Sequence, residues 1–554
     1  MRSSTSSLPL LRLASGVLAL VALVAVPTGA WRQGAAGGAA DIGKAAQSIT
    51  GADLFRDAGV LAADLMEGRL TGTPGQGAAA AYVVRSLRQA GVAPFGDDAG
   101  YYQHYTVTRS VLRSAESHLS VGSRRFAYGT DFVITSFLRP GPHAGGVVYV
   151  GAGIRAPKLK IDPYAGVDVR GKWLLVHPPG VLPAGVTREM LGAAGTDHML
   201  PAQEARARGA VGLLVVPTPA QLKSLDEVKQ RPTASRDLDP SRGWAYAQQP
   251  LPHVVLSGAA LEALLEGERL GARDVLAGTT GREASVALAA AKTVTLAIAA
   301  DSSGIRPYNV VGFIEGADPA LRDEYVTVAS HLDGAVGTRA IDGDAIYNAA
   351  DDNASGSAGN LAVARALMRG PRPRRSIVLI WDTGEETGLW GSRHMAYGPL
   401  ASKIVAHVNI DMIGRTKQPG TNLPGEEELT GPGEVFVAGP GVLSTRMDAV
   451  LARVAKEFKY VSMNRRFDVG TESFFYPRTD AAPYFERGIP FLEFFTGLHG
   501  DYHRPSDEPW KLDPAKMEAV TRTAYVTIWL MADDPVRPQI DKPLPPNLAA
   551  VLAR

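Results

Sequence analysis

The 554-residue sequence reads as an α/β chain, and three observations say so. Apolar runs of strand length alternate with helical stretches through its second half. Each of three such runs, Tyr325 to Ala329, Ile377 to Trp381 and Ile404 to Ile410, is followed by polar and charged residues. Those residues therefore collect at the ends of neighbouring strands, where open α/β sheets place their ligands. The length implies more than one domain, since single cores stop growing near roughly 250–300 residues.

Composition narrows the chemistry. Charged residues make up 20% and apolar ones 45%, ordinary globular values, and the formal net charge is +1. No polybasic run marks a nucleic-acid surface. Cysteine is absent, which excludes disulfides, thiolate nucleophiles and sulfur-ligated zinc. Any metal must be held by nitrogen and oxygen.

In chain order, Arg2 and Arg12 precede the apolar segment Val17 to Val26 and the small residues up to Ala30. This is the pattern of a secretory signal peptide over 1–30, so the mature chain is expected in the periplasm or outside the cell, with no stable membrane span. Residues 31–45 read as a flexible lead-in. Ala52 to Met66 and Ala78 to Ala90 carry helical periodicity, and Gly91 stands where a helix cap belongs. From about 116 to 295 short β-like runs dominate (Gly146 to Val150, Trp173 to Val176, Gly212 to Val216, His253 to Leu256), and one helix, Ala202 to Arg208, ends at Gly209. That segment predicts a compact β-rich module. Its histidines, His143, His177, His198 and His253, share no ligand spacing. Residues 217–250 read as an exposed excursion and 416–434 as a surface loop. Strands resume at Val294 to Ile298 and Asn309 to Ile314, and an amphipathic helix closes the domain over Pro514 to Met531. The proline-rich tail, 535–554, reads as extended.

The chemistry lies between 326 and 412, with one late partner. His331, Asp352, Glu386, Asp411 and His503 offer two imidazoles and three carboxylates. That count suits two divalent ions sharing a carboxylate, zinc by ligand type, with cobalt or manganese also compatible. Asp351, beside Asp352, and His499, four residues before His503, are rival ligands.

These motifs carry a resemblance. Ser330-His331-Leu332-Asp333, Ala350-Asp351-Asp352-Asn353, Glu385-Glu386-Thr387-Gly388, Asn409-Ile410-Asp411 and Asp501-Tyr502-His503-Arg504-Pro505-Ser506-Asp507 resemble those of the secreted di-zinc aminopeptidases. That family also holds glutamate carboxypeptidases and glutaminyl cyclases. Glu67-Gly68-Arg69 to Gly75 is similar to the start of its peptidase domain. Tyr164 to Lys172 and Ala207 to Gly212 resemble an inserted protease-associated domain. The resemblance implies a three-layer α/β/α peptidase domain around a mixed, mainly parallel sheet, split as 46–115 and 296–534 around the insert. It further implies two Zn2+ ions bridged by Asp352, with His331 and Asp411 on one and Glu386 and His503 on the other. Glu385 would be the general base, Asp333 would orient His331, and Tyr502 would assist the scissile carbonyl. A peptide substrate follows, cut at its N-terminal residue; a carboxypeptidase or dipeptidase is the alternative, and a glutaminyl cyclase or a non-catalytic receptor lies further off. Thr479-Asp480-Ala481 departs from the family, which often carries His after that Asp. Phe474, Phe475, Tyr476, Phe491, Phe494 and Phe495 could line an apolar specificity pocket or a core. Side-chain preference and oligomeric state are not encoded in any motif.

Overall fold

The computed structural model describes residues 38–135, 140–192, 197–218, 251–277, 285–334, 337, 340–418, 420, 425–468 and 478–552, and the backbone of 234–238. The leader 1–30, most of the 217–250 excursion and Phe474 to Tyr476 lie outside the described residues. Among those described, no helix is long and apolar enough to cross a membrane.

A nine-stranded sheet carries the second half of the chain. We label its main strands β1 (Tyr308–Ile314), β2 (Tyr325–His331), β3 (Ser376–Asp382), β4 (Ile404–Ile410), β5 (Glu434–Ala438) and β6 (Phe491–Phe495). They lie in the order β1-β3-β2-β4-β6-β5. The pairs β3·β2, β2·β4 and β4·β6 are parallel, whereas β1·β3 and β6·β5 are antiparallel. The parallel part is thus a central block with antiparallel flanks. Strand periodicity distributes the side chains between two layers. Ile377, Leu379 and Trp381 face the core with the helices Gly51–Leu61, Pro74–Ala90, Gly356–Arg369 and Pro514–Asp533, while Val378 and Ile380 face Met395, Ala396 and Tyr484 on the other side. Helices on both faces of parallel strands are the arrangement that buries such unbroken apolar runs.

Several sequence expectations change. Ala39–Ala46 is a helix whose Ile42 and Ala46 join the main core, so the lead-in does not extend to 45. The helix Pro514–Asp533 is buried nearly all round, including the run Thr523 to Ala532, rather than amphipathic. It lies against the helices 39–46, 51–61, 356–369 and 445–457, which leave it little solvent face. The tail is not simply extended: Pro546–Leu552 is helical, and Leu544, Leu548 and Leu552 pack on Leu443, Phe485 and Phe491.

The β-rich insert has its own core, centred on Trp173, Leu174, Leu214 and Val255. Its boundary lies further out than 116–295. Val107–Leu112 pairs antiparallel with Ala300–Ile305, forming a neck, and Thr293–Ile298 belongs to the insert's sheet, not to the sheet of β1 to β6.

Candidate metal centre and active-site cleft

Every side chain read from the sequence as a ligand sits just where a strand stops or a turn begins. His331 ends β2 and Asp411 follows β4 directly. Asp352 lies in the turn Ala350–Ser355 that starts the helix Gly356–Arg369. Glu385 and Glu386 follow β3 in a turn that needs glycine: Gly384 has φ +77°, and a Cβ there would lie 2.5 Å from the Trp390 ring. His503 comes from a distant loop and is held at φ +58°.

These residues form two groups that could each hold a metal ion: His331 with Asp352 and Asp411, and Asp352 with Glu386 and His503. Asp352 divides between them. Its Oδ1 lies 3.1 Å from His331 Nε2, and its Oδ2 lies 3.1 Å from His503 Nε2. His331 Nε2 is also 3.3 Å from Asp411 Oδ1, and His503 Nε2 is 3.2 Å from Glu386 Oε2. Buried atoms without hydrogen-bond partners, Asp411 Oδ1 and His503 Nε2 among them, point into the space between these side chains. A nitrogen and oxygen donor set of this kind fits zinc.

The surroundings fix the groups. His331 Nδ1 lies 2.9 Å from the carbonyl oxygen of Asp333, while the Asp333 carboxylate is 3.9 Å away. Asp333 thus faces the His331 ring through its backbone carbonyl rather than its side chain. That carboxylate instead accepts the backbone N–H of Glu385 at 3.3 Å. Asp507 Oδ2 accepts the N–H groups of both Asp351 and Asp352, at 3.0 and 3.1 Å. Asp351 is turned away from the centre: its Oδ1 accepts Gly414 N–H and Ser355 Oγ, and its Oδ2 faces His499 Nε2 at 3.3 Å. Both rival ligands thus form one network behind the site. Arg69, fully buried, donates to the carbonyl oxygens of Leu332, Leu61, Asn348 and Ala349. It ties the N-terminal segment to the end of β2 and to the turn that carries Asp352. Arg415, which pairs with Asp501, went unread in the sequence; Arg69 and Asp507 were visible there only as members of the Glu67-Gly68-Arg69 and Asp501-to-Asp507 motifs, without a role.

Charge is concentrated here, in surroundings that disfavour it. Burial raises the Glu385 carboxyl well above its ordinary range, His331 opposes the rise and Glu386 adds to it. Burial and the Asp352 charge push Glu386 up to about 7. Burial pulls His503 down, but hydrogen bonds to Asp352 and Glu386 outweigh it and lift the imidazole to about 9. Asp352 moves the other way: burial opposes ionisation, but His331 and His503 hold it well below the usual carboxylate range. Groups pushed apart in this way mark acid–base sites.

A cleft opens beside the groups, lined by Asp352, Glu385, Asp411 and Tyr502 together with Met412, Arg478, Thr479, Glu493, Phe495 and Leu498. The Tyr502 ring stacks on His503 with centroids 3.6 Å apart. Of the phenylalanines singled out in the sequence, Phe495 reaches the cleft, whereas Phe491 and Phe494 are packed in cores. His394 stacks on Tyr105 and His407 on Tyr484, both away from the ligand groups.

Comparison with known proteins fits this geometry. The chain is 31% identical over 196 residues to an aminopeptidase of Pseudomonas aeruginosa, covering 35% of this chain and 32% of that protein. It is 28% identical over 210 residues to a probable leucine aminopeptidase of Arthroderma benhamiae, 36% of this chain and 52% of that one. The matches thus span a third to a half of these relatives' lengths. Among solved structures, an aminopeptidase from Aneurinibacillus sp. strain AM-1 aligns over 91% of this chain and 100% of its own with a TM-score of 0.50 at 16% identity, a likeness of fold. Residues 309–528 match the peptidase family M28, and this stretch holds all five candidate ligands and Glu385. Over that stretch the chain is similar to peptidase family M28.

Proposed function

We propose that the chain is an exported metallo-exopeptidase that removes N-terminal residues from peptides, with two zinc ions that His331, Asp352, Glu386, Asp411 and His503 would hold, Asp352 contributing to both groups. The observation that carries the reading is the division of the Asp352 carboxylate, one oxygen toward His331 and the other toward His503, beside a cleft that Glu385 lines. His331 and Asp411 would hold one ion, and Glu386 and His503 the other. Bound zinc supplies Lewis acidity, lowering the pKa of water and polarising a carbonyl.

The chain's own residues do the rest. Glu385 takes a proton from the attacking water and returns it to the leaving amine, a role suited to a carboxyl whose affinity for protons burial has raised. The Asp333 carboxylate, by accepting the Glu385 N–H, keeps that turn at the cleft. The Tyr502 hydroxyl donates to the oxygen on which negative charge develops; its ionisation is suppressed by burial and the neighbouring carboxylates, so it stays a donor.

A second reading, a carboxypeptidase or dipeptidase, is favoured by Arg478, an exposed guanidinium on the cleft that could receive a substrate carboxylate. Hydrolysis of amino-acyl anilides against N-blocked peptides separates the two. Cleavage of blocked substrates alone would overturn the aminopeptidase reading, and a metal-free, chelator-insensitive protein would end both. Export is checked by N-terminal sequencing of the mature protein, which should begin near Trp31.

A further inference from the structure

The cleft holds one acid that the chemistry above does not use. Glu493 lies on β6, and strand periodicity sets its side chain on the same face as Phe495. Both line the cleft with Met412 and Leu498. Glu493 is 1% exposed. Its Oε1 accepts Asn409 Nδ2 at 2.9 Å and its Oε2 accepts Thr479 Oγ1 at 3.1 Å. Both donors are neutral, so they orient the carboxylate without balancing its charge. Arg478, the basic residue of the same lining, is exposed. The cleft lining therefore combines an exposed basic residue with a buried acid.

An acid in such a place is costly without a counter-charge. Met412, Phe495 and Leu498 offer surface along which methylenes can lie while a charged head reaches the acid, which is how long basic side chains bury themselves.

We propose that Glu493 determines specificity in this cleft by binding an ammonium or guanidinium group of the substrate. The proposal rests on the exopeptidase reading above. The cation can come from two sources: the side chain of an N-terminal lysine or arginine, or the substrate's α-ammonium group.

The test uses the zinc-loaded, full-length protein and anilides of lysine, norleucine and leucine, with the des-amino analogue of leucine anilide as competitor. Norleucine matches lysine in shape but lacks the side-chain ammonium. If the cation is the side chain's, the wild type prefers lysine over norleucine by at least about tenfold in kcat/KM, as for a site left with an unpaired buried charge by the wrong substrate. Glu493→Gln then brings that ratio close to unity. If the cation is the α-ammonium, lysine and norleucine are cleaved alike, and Glu493→Gln raises KM for both while narrowing the gap in affinity between leucine anilide and its des-amino analogue. Zinc content and melting temperature report whether the variant is folded; should it not be, Glu493→Asp, which keeps the charge but withdraws it, is expected to weaken the same discrimination in part. A lysine-to-norleucine ratio and a KM set that neither variant shifts would overturn the proposal while leaving the exopeptidase reading intact. Failure of the wild type to cleave any free-amine anilide would overturn both, and is told apart by activity on N-blocked peptides.

Discussion

The two halves of the candidate centre are built differently. His331 is 1% exposed, ends a strand flanked on both sides, and has its second nitrogen held by a backbone carbonyl. Asp411 follows the next strand, and its N–H is taken by the Phe494 carbonyl. This inner half inherits the rigidity of the sheet. The outer half does not. Glu386 belongs to a turn, and His503 to a loop, with a side chain 32% exposed and a ring braced by Tyr502. Only Asp352 belongs to both, and its turn is gripped from behind by Asp507 and Arg69. Ligands on rigid elements are held more exactly than ligands on loops. We therefore expect an inner ion that stays and an outer ion that exchanges.

The largest effect should come from the shared residue. Asp352→Ala is expected to lose both ions and reduce hydrolysis to background, read by metal analysis; retention of one full ion would mean the halves are independent. Next is the base. Glu385→Gln should keep both ions yet lose at least about 10²-fold in kcat, the usual scale for a general base; unchanged activity would assign that role to another carboxylate. His503→Ala should then cost the outer ion alone, leaving one zinc per chain, whereas His331→Ala should disturb both occupancies. Equal losses from the two would break the comparison.

The smallest effect is one of pH. In the metal-free protein the His503 pKa is raised to about 9 from 6.5 by its hydrogen bonds to Asp352 and Glu386, against the pull of burial. A raised histidine stabilises the fold fully below pH 6.5, and that contribution is lost as pH rises through 9. The metal-free protein should therefore lose melting temperature over that window. Zinc competes with the same proton, so the stabilisation gained on adding zinc should grow from pH 6.5 to 9. A flat zinc-induced shift would mean that the proton does not sit on His503.

How much of this could be read from residues alone depended on what kind of group does the work. His331, Asp352, Glu386, Asp411 and His503 are chemically distinctive side chains at strand ends and in short motifs, so the sequence brought them into view before geometry did. What Arg69 does was hidden because its four partners are backbone carbonyls, which every residue possesses. The atom of Asp333 that faces His331 was hidden for the same reason: it is the backbone carbonyl and not the carboxylate. The neck of the insert was missed because Val107–Leu112 finds its partner at Ala300–Ile305, far beyond any local pattern. In the tail, prolines masked Leu544, Leu548 and Leu552, whose burial is decided by Phe485 and Phe491 of the α/β domain.

Arg69 also bears on what counts as the smallest working piece of this molecule. The stretch that matches family M28 begins at residue 309, but the guanidinium that joins Leu332 to Asn348 and Ala349 comes from the other side of the insert, 280 residues before the last of these. A fragment starting at 309 would carry every ligand and still leave those carbonyls unanswered, at a cost of about 1–3 kcal/mol for each that stays buried. Supplied in trans, residues 38–106 should restore zinc uptake to such a fragment, and the same piece with Arg69→Ala should not. The α/β domain, in that sense, is one unit interrupted, completed only when its first segment returns to the ends of its strands.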